Sequence, residues 1–235
     1  MESTSGEDIA DGWREFFMYR KGIVRAITLT GLAAALGLAG AAPALAAPAG
    51  EPIFTSADLN GDGTRDTVVS RPAINGKQVV SATVDGRRTS ILLPADPWFG
   101  ILAPRVADLD GDGRAELLVA TTLGANTAFF AVLDFDGRNL TQVAGADGKP
   151  FEVAEGGGIA AHVGYLCMAP GGNRLFVTVV SSADDISAPA GEITYTGTRT
   201  IYRLHAGALT VLEQDAITSR PLADPVTMVD AASCV

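Results

Sequence analysis

The chain has 235 residues, 47% of them hydrophobic, with 27 acidic and 17 basic side chains and a net charge of −10. That length suits one domain with a substantial core, and the apolar content argues against general disorder. A negative balance excludes nucleic acid or an anionic membrane held by a general positive field, whereas cations suit it if the carboxylates cluster.

Residues 1–17 carry five acidic side chains and one basic one, the wrong polarity for a targeting head, so they read as a mis-assigned start or a leader ahead of Met18. A basic stretch with Arg20, Lys21 and Arg25 then precedes an uncharged run over 26–50, which ends its apolar core near Gly40 and continues as Pro43-Ala44-Leu45-Ala46-Ala47-Pro48. Basic head, short apolar core and small residues are the three parts of a secretory signal peptide, placed at 18–46 with the cut after Ala46. A retained membrane anchor is the competing reading; the Ala- and Gly-rich core and the early Pro43 argue against it. Cleavage takes away five acidic and four basic residues, leaving 22 and 13 and a net charge of −9 on residues 47–235. The sequence thus predicts a secreted chain with no membrane association after signal removal.

Residues 51–235 read as strands and turns. Short β-branched runs at 66–70, 79–84 and 90–93 are separated by Asn75-Gly76 and Asp85-Gly86, which are hairpin turns by type. The same order recurs at 116–123, 127–134, the turn Asp136-Gly137 and 139–144. The cause is a repeat: Asp58-Leu59-Asn60-Gly61-Asp62-Gly63-Thr64-Arg65-Asp66 returns 50 residues on as Asp108-Leu109-Asp110-Gly111-Asp112-Gly113-Arg114-Ala115-Glu116. A faded third copy spans 165–174, where the ligand positions of the second copy fall on Leu166, Met168, Pro170 and Arg174, and strands at 175–180, 193–204 and 208–212 follow it. The expectation is all-β: three units of about four strands, at 52–94, 99–144 and 160–215.

Each intact loop carries oxygen-bearing side chains at positions 1, 3, 5 and 9 and glycine at 6. Calcium takes six to eight hard oxygen ligands, and alternate residues of a tight loop can all point inward, with position 7 offering its carbonyl. Gly63 and Gly113 permit the positive φ of such a turn. Charge supports the same reading. Two carboxylates about 4 Å apart repel by about 4 kcal/mol at an effective dielectric near 20, and the second loop gathers four within nine residues. The competing reading is an acidic solvated turn with splayed side chains; two loops in one register argue against it. An EF-hand fails, since position 12 is Val69 or Val119 where a bidentate Glu is required.

The run Phe99-Gly100-Ile101-Leu102-Ala103-Pro104-Arg105-Val106-Ala107 leading into the second loop, with Leu117-Leu118-Val119 after it, resembles the FG-GAP or VCBS-type repeat of propeller proteins. The resemblance implies four-stranded propeller blades with calcium in the loop between the first two strands. Carried over by position, the ligands are Asp58, Asn60, Asp62, Thr64 (backbone) and Asp66, then Asp108, Asp110, Asp112, Arg114 (backbone) and Glu116, holding about two ions. Three units are fewer than the four to eight of ordinary propellers, so the arc is expected to be open, completed by the termini, or completed by another chain.

Cys167 and Cys234 permit one intramolecular bridge in an exported chain, closing a loop of 68 residues and worth about 4 kcal/mol by chain entropy; two unpaired thiols are the alternative. No nucleophile elbow, metalloprotease helix or phosphate loop occurs, and His162 and His205 read as structural or exposed. Trp98 is a candidate aromatic platform for a glycan or an extracellular protein, with Phe99 expected to pack between units. The chain reads as a structural or ligand-binding module; the alternative is an extracellular polysaccharide hydrolase or lyase using Asp184, Asp185 or Glu192.

Overall fold

A computed structural model describes residues 50–235; the expected leader (1–17) and the expected signal peptide (18–46) lie outside the described residues. No α-helix occurs among those residues, which alternate strands with tight turns. The first unit is a four-stranded antiparallel sheet in chain order, β1 (Ile53–Ala57), β2 (Asp66–Ala73), β3 (Lys77–Val84) and β4 (Arg87–Pro94). Its hairpins close on Asn75 (φ 59°) and Gly76 (φ 62°), and on Asp85 (φ 50°) and Gly86 (φ 73°). Successive positive φ values are what a two-residue turn matching strand twist demands.

The second unit holds β5 (Arg105–Ala107), β6 (Glu116–Leu123) and β7 (Thr127–Phe135). Its outer edge is divided. β8 (Leu140–Gln142) pairs with the end of β7, and β9 (Glu152–Gly156) pairs with its beginning. The third unit follows as β10 (Ala161–Met168), β11 (Leu175–Ala183), β12 (Thr194–His205) and β13 (Ala208–Pro221). Pairing of Val163 with Gly156 joins the second and third units into one nine-stranded sheet, and an isolated bridge between Ala144 and Ala208 adds to the join. The sheets do not close into a barrel, so the architecture is an open, propeller-like set of β repeats.

Burial follows from the sequence pattern. In β6, Leu117, Leu118, Val119 and Ala120 are all buried, the mark of a layer covered on both faces. Leu117 and Val119 join Val68, Val80 and Ala82 in one core cluster; Leu118 and Ala120 join Tyr165, Phe176 and Leu204 in another. β2 alternates instead, with Val68 and Ser70 buried and Thr67 and Arg71 exposed, as a sheet with one wet face must. Gln78 ties the first two units, its amide donating to the carbonyls of Pro94 (2.8 Å) and Ala120 (2.6 Å).

Antiparallel order fixes two ends. The loops between first and second strands and the turns between third and fourth strands lie at one end. The remaining connections, including the Trp98 turn, lie at the other. The Cys167–Cys234 bridge is present, and the C-terminal residues run beside β10, with Asp230 N–H donating to the Tyr165 carbonyl at 3.0 Å.

The third loop corrects the sequence alignment. Ala57 pairs with Asp66 and Ala107 with Glu116, whereas Met168 pairs with Leu175. Eight residues span each intact loop and six span the third. Arg174 therefore corresponds to Ala115, not to Glu116.

Candidate metal centre

Each acidic loop leaves a short inner strand and re-enters the sheet on a carboxylate. In the first, Asp58 accepts from the N–H groups of Gly61 and Gly63, both at 2.8 Å, and Asn60 Oδ1 accepts from Asp62 N–H at 3.1 Å. Asp62 accepts from Thr64 N–H at 2.6 Å, and Asp66 closes the loop by accepting from Leu59 N–H at 3.0 Å. The second loop repeats this: Asp108 takes Gly111 N–H (2.6 Å), Asp110 takes Asp112 N–H (3.2 Å), and Glu116 takes Leu109 N–H (2.6 Å). Leu59 and Leu109, at position 2, are buried and anchor each loop to the core.

Oxygen atoms of Asp108, Asp110 and Glu116 lie within 4.8 Å of one another. Glu116 is only 2% exposed. Burial pushes its carboxyl up to about 9; the Leu109 N–H opposes this, and the charges of Asp110, Asp134 and Asp108 add to it. Asp110 is raised by burial and then by Asp112. Three carboxylates, one of them buried, are a donor set suited to calcium, and their clustering is unfavourable until a cation or protons offset it.

Asp112 is turned toward its own loop, bound by Arg114 Nε at 2.7 Å and Nη2 at 2.6 Å, and is not in the trio. Arg114 and Thr64 occupy position 7 with their N–H groups tied to Asp112 and Asp62. In the first loop the positions equivalent to the trio are Asp58, Asn60 and Asp66, so one carboxylate is replaced by an amide. That amide donates to Asp62 and Asp85, each at 3.3 Å. Asp66 is raised by burial, against the Leu59 N–H, with Asp62, Asp58 and Asp85 adding to the rise.

Two acids were not among the sequence candidates. Asp134, near the end of β7, is 6% exposed, and burial raises it against the pull of Arg114. Asp85 sits on the hairpin turn beside the first loop. A lone acid inside the apolar run Ala131-Val132-Leu133-Asp134-Phe135 was the legible signal for Asp134.

At the opposite end, Asp96 Oδ1 accepts from the N–H groups of Trp98 (2.8 Å) and Phe99 (2.9 Å), and Oδ2 accepts from Leu123 N–H at 3.0 Å. Burial opposes its ionisation, but the Leu123, Phe99 and Trp98 donors prevail and hold it below the usual carboxylate range. The turn is thereby pinned with Trp98 88% exposed. Phe99 is 65% exposed, so it does not pack between units as expected: the Asp96 clamp turns the chain outward. Asp184 and Asp185 serve local turns, accepting from Thr194 Oγ1 and from Ser187 respectively, and those bonds lower both. Neither carries the raised value of a general acid. His162 Nε2 lies 2.8 Å from the Thr227 carbonyl, a structural contact.

Residues 58–119 match the FG-GAP-like repeat family. Neither curated proteins nor solved structures give a match to the chain. The matched stretch, from Asp58 through the first sheet and the second acidic loop to Val119, is thus similar to an FG-GAP-like repeat and lies in a chain of antiparallel β units.

Proposed function

We propose that the mature chain is a secreted calcium-binding domain whose ions brace the loops between first and second strands, and that it acts as a binding module. The observation that carries the calcium reading is the convergence of Asp108, Asp110 and Glu116 within 4.8 Å, with Glu116 buried. Asp108, Asp110 and Glu116 would hold the second ion; Asp58, Asn60 and Asp66 would hold the first. Bound there, calcium would supply charge neutralisation and a fixed loop, with no chemical step. Extracellular modules of this kind bind with dissociation constants of about 0.1–1 mM. Isothermal titration of residues 47–235 tests the reading: two ions per chain are expected, with Glu116→Gln removing one. Failure to take up any calcium refutes it.

Export is supported by the signal pattern at 18–46 and by the Cys167–Cys234 bridge, since disulfides persist in oxidising compartments. The binding role rests on the pinned Trp98 turn, at the end away from the acidic loops. Ile74 and Ile159 are also exposed at that end. The chemistry suits a glycan face or an apolar side chain of an extracellular protein. A glycan array or pull-down signal abolished by Trp98→Ala supports this, and no signal from the unmodified protein counts against it.

A further inference from the structure

The third unit lacks an acidic loop, yet it holds the second one in place. Between the first two units the connecting bond is made by backbone: Ala115 N–H, just ahead of β6, donates to the Asp58 carbonyl at 2.7 Å. Arg174 is the equivalent residue ahead of β11, where the connecting loop is two residues shorter. Here a side chain makes the bond. Arg174 Nη1 donates to the Asp108 carbonyl at 2.6 Å and lies 3.8 Å from Asp108 Oδ2.

The stems pack alike too. A Cβ added to Gly61 would lie 2.9 Å from Arg114 Cγ, and one added to Gly111 would lie 2.9 Å from Arg174 Cβ. The glycine at position 4 of each loop thus admits an arginine from the next unit. The other backbone group of Asp108 is held by the C-terminal tail, because its N–H donates to the Cys234 carbonyl at 2.9 Å. Cys234 is bound through the disulfide to Cys167 on β10, and Cys167 N–H donates to Ser233 Oγ at 2.8 Å. The two backbone groups of the loop's first residue therefore end on the third unit and on the C-terminal tail bridged to it.

We propose that Arg174, supported by the disulfide-held carbonyl of Cys234, is a positioning residue that fixes Asp108 and raises the calcium affinity of the second loop. This rests on the calcium reading above. Two effects of Arg174 oppose each other. Its positive charge disfavours a cation nearby, but Arg174 and Asp108 are both partly exposed, so that repulsion is screened by solvent and salt. Its hydrogen bond fixes the direction of the Asp108 backbone and hence of its carboxylate. Removing a partner that orients a metal ligand typically lowers affinity by about 10–100-fold, so orientation prevails.

The test uses residues 47–235 carrying Asp58→Ala, which leaves the second loop as the site. Calcium titration is compared with and without Arg174→Met, a change that keeps the stem over Gly111 and removes the guanidinium. The expected result is about tenfold weaker binding, partly restored by Arg174→Lys. Unchanged or tighter binding in Arg174→Met overturns the inference, as does a lower melting temperature in calcium and in chelator alike with the affinity unaltered. Should Arg174→Met not fold, mild reduction of the disulfide in the Asp58→Ala protein provides the second arm: weaker binding supports the inference and unaltered binding overturns it. If the Asp58→Ala protein with Arg174 intact takes up no calcium, the calcium reading fails and this inference with it.

Discussion

At the scale of single residues, the second loop is a balance between a buried carboxylate and the charges around it. Glu116 is raised to about 9, far above the ordinary glutamate value of 4.5. A group raised on folding stabilises the fold below its unfolded value, and that contribution is lost as pH climbs toward the folded one. Calcium-free protein should therefore gain from this site on acidification from pH 8 to pH 5, and Glu116→Gln should flatten that gain in thermal melts recorded in chelator. Calcium binding at pH 7 should release close to one proton from the second loop, read by titration in buffers of different ionisation enthalpy. Proton uptake on binding would contradict this. Asp108→Ala should cost the second site more affinity than Asp112→Ala, because Asp112 is engaged by Arg114 rather than by the trio. Isothermal titration of the two variants decides it; the reverse order would place Asp112 among the primary ligands.

Elements show what local sequence could and could not reveal. The strands and the Asn75-Gly76 and Asp85-Gly86 hairpins were legible because period-two burial and positive-φ turns are local requirements. The divided edge of the second unit was not. Its two pieces are joined by a turn in which Gly145 N–H donates to the Lys149 carbonyl at 2.7 Å, a detour that strand periodicity does not register. Of the second repeat's five candidates, Asp108, Asp110 and Glu116 converge, whereas Asp112 bonds to Arg114; the buried Asp134 lies on the next hairpin strand, outside the loop. Arg174 was misaligned because comparison without gaps cannot detect a loop shortened by two residues. The disulfide belongs to this scale as well. It closes a long loop, so Cys234→Ser should destabilise the domain by about 4 kcal/mol in denaturant melts. A change below about 1 kcal/mol would mean that the tail's hydrogen bonds to β10 already restrain it.

For the whole molecule, β6 is covered on both faces by its neighbours whereas β2 in the first sheet keeps one wet face, as expected for an open set of repeats whose terminal unit faces water. The acidic loops bind neighbouring units at one end: Asp58 to Ala115, and Asp108 to Arg174 and Cys234. Calcium in those loops would consequently stabilise contacts between units as well as the loops themselves. At 100 times its dissociation constant, one ion adds about 2.7 kcal/mol, which for a domain of this size is a shift of about 5–10 °C. Thermal unfolding of residues 47–235 in 10 mM calcium and in excess chelator is the most direct measurement. A melting temperature higher in calcium by at least that amount, reversed by chelator, is the predicted result; coincident melting curves would contradict it.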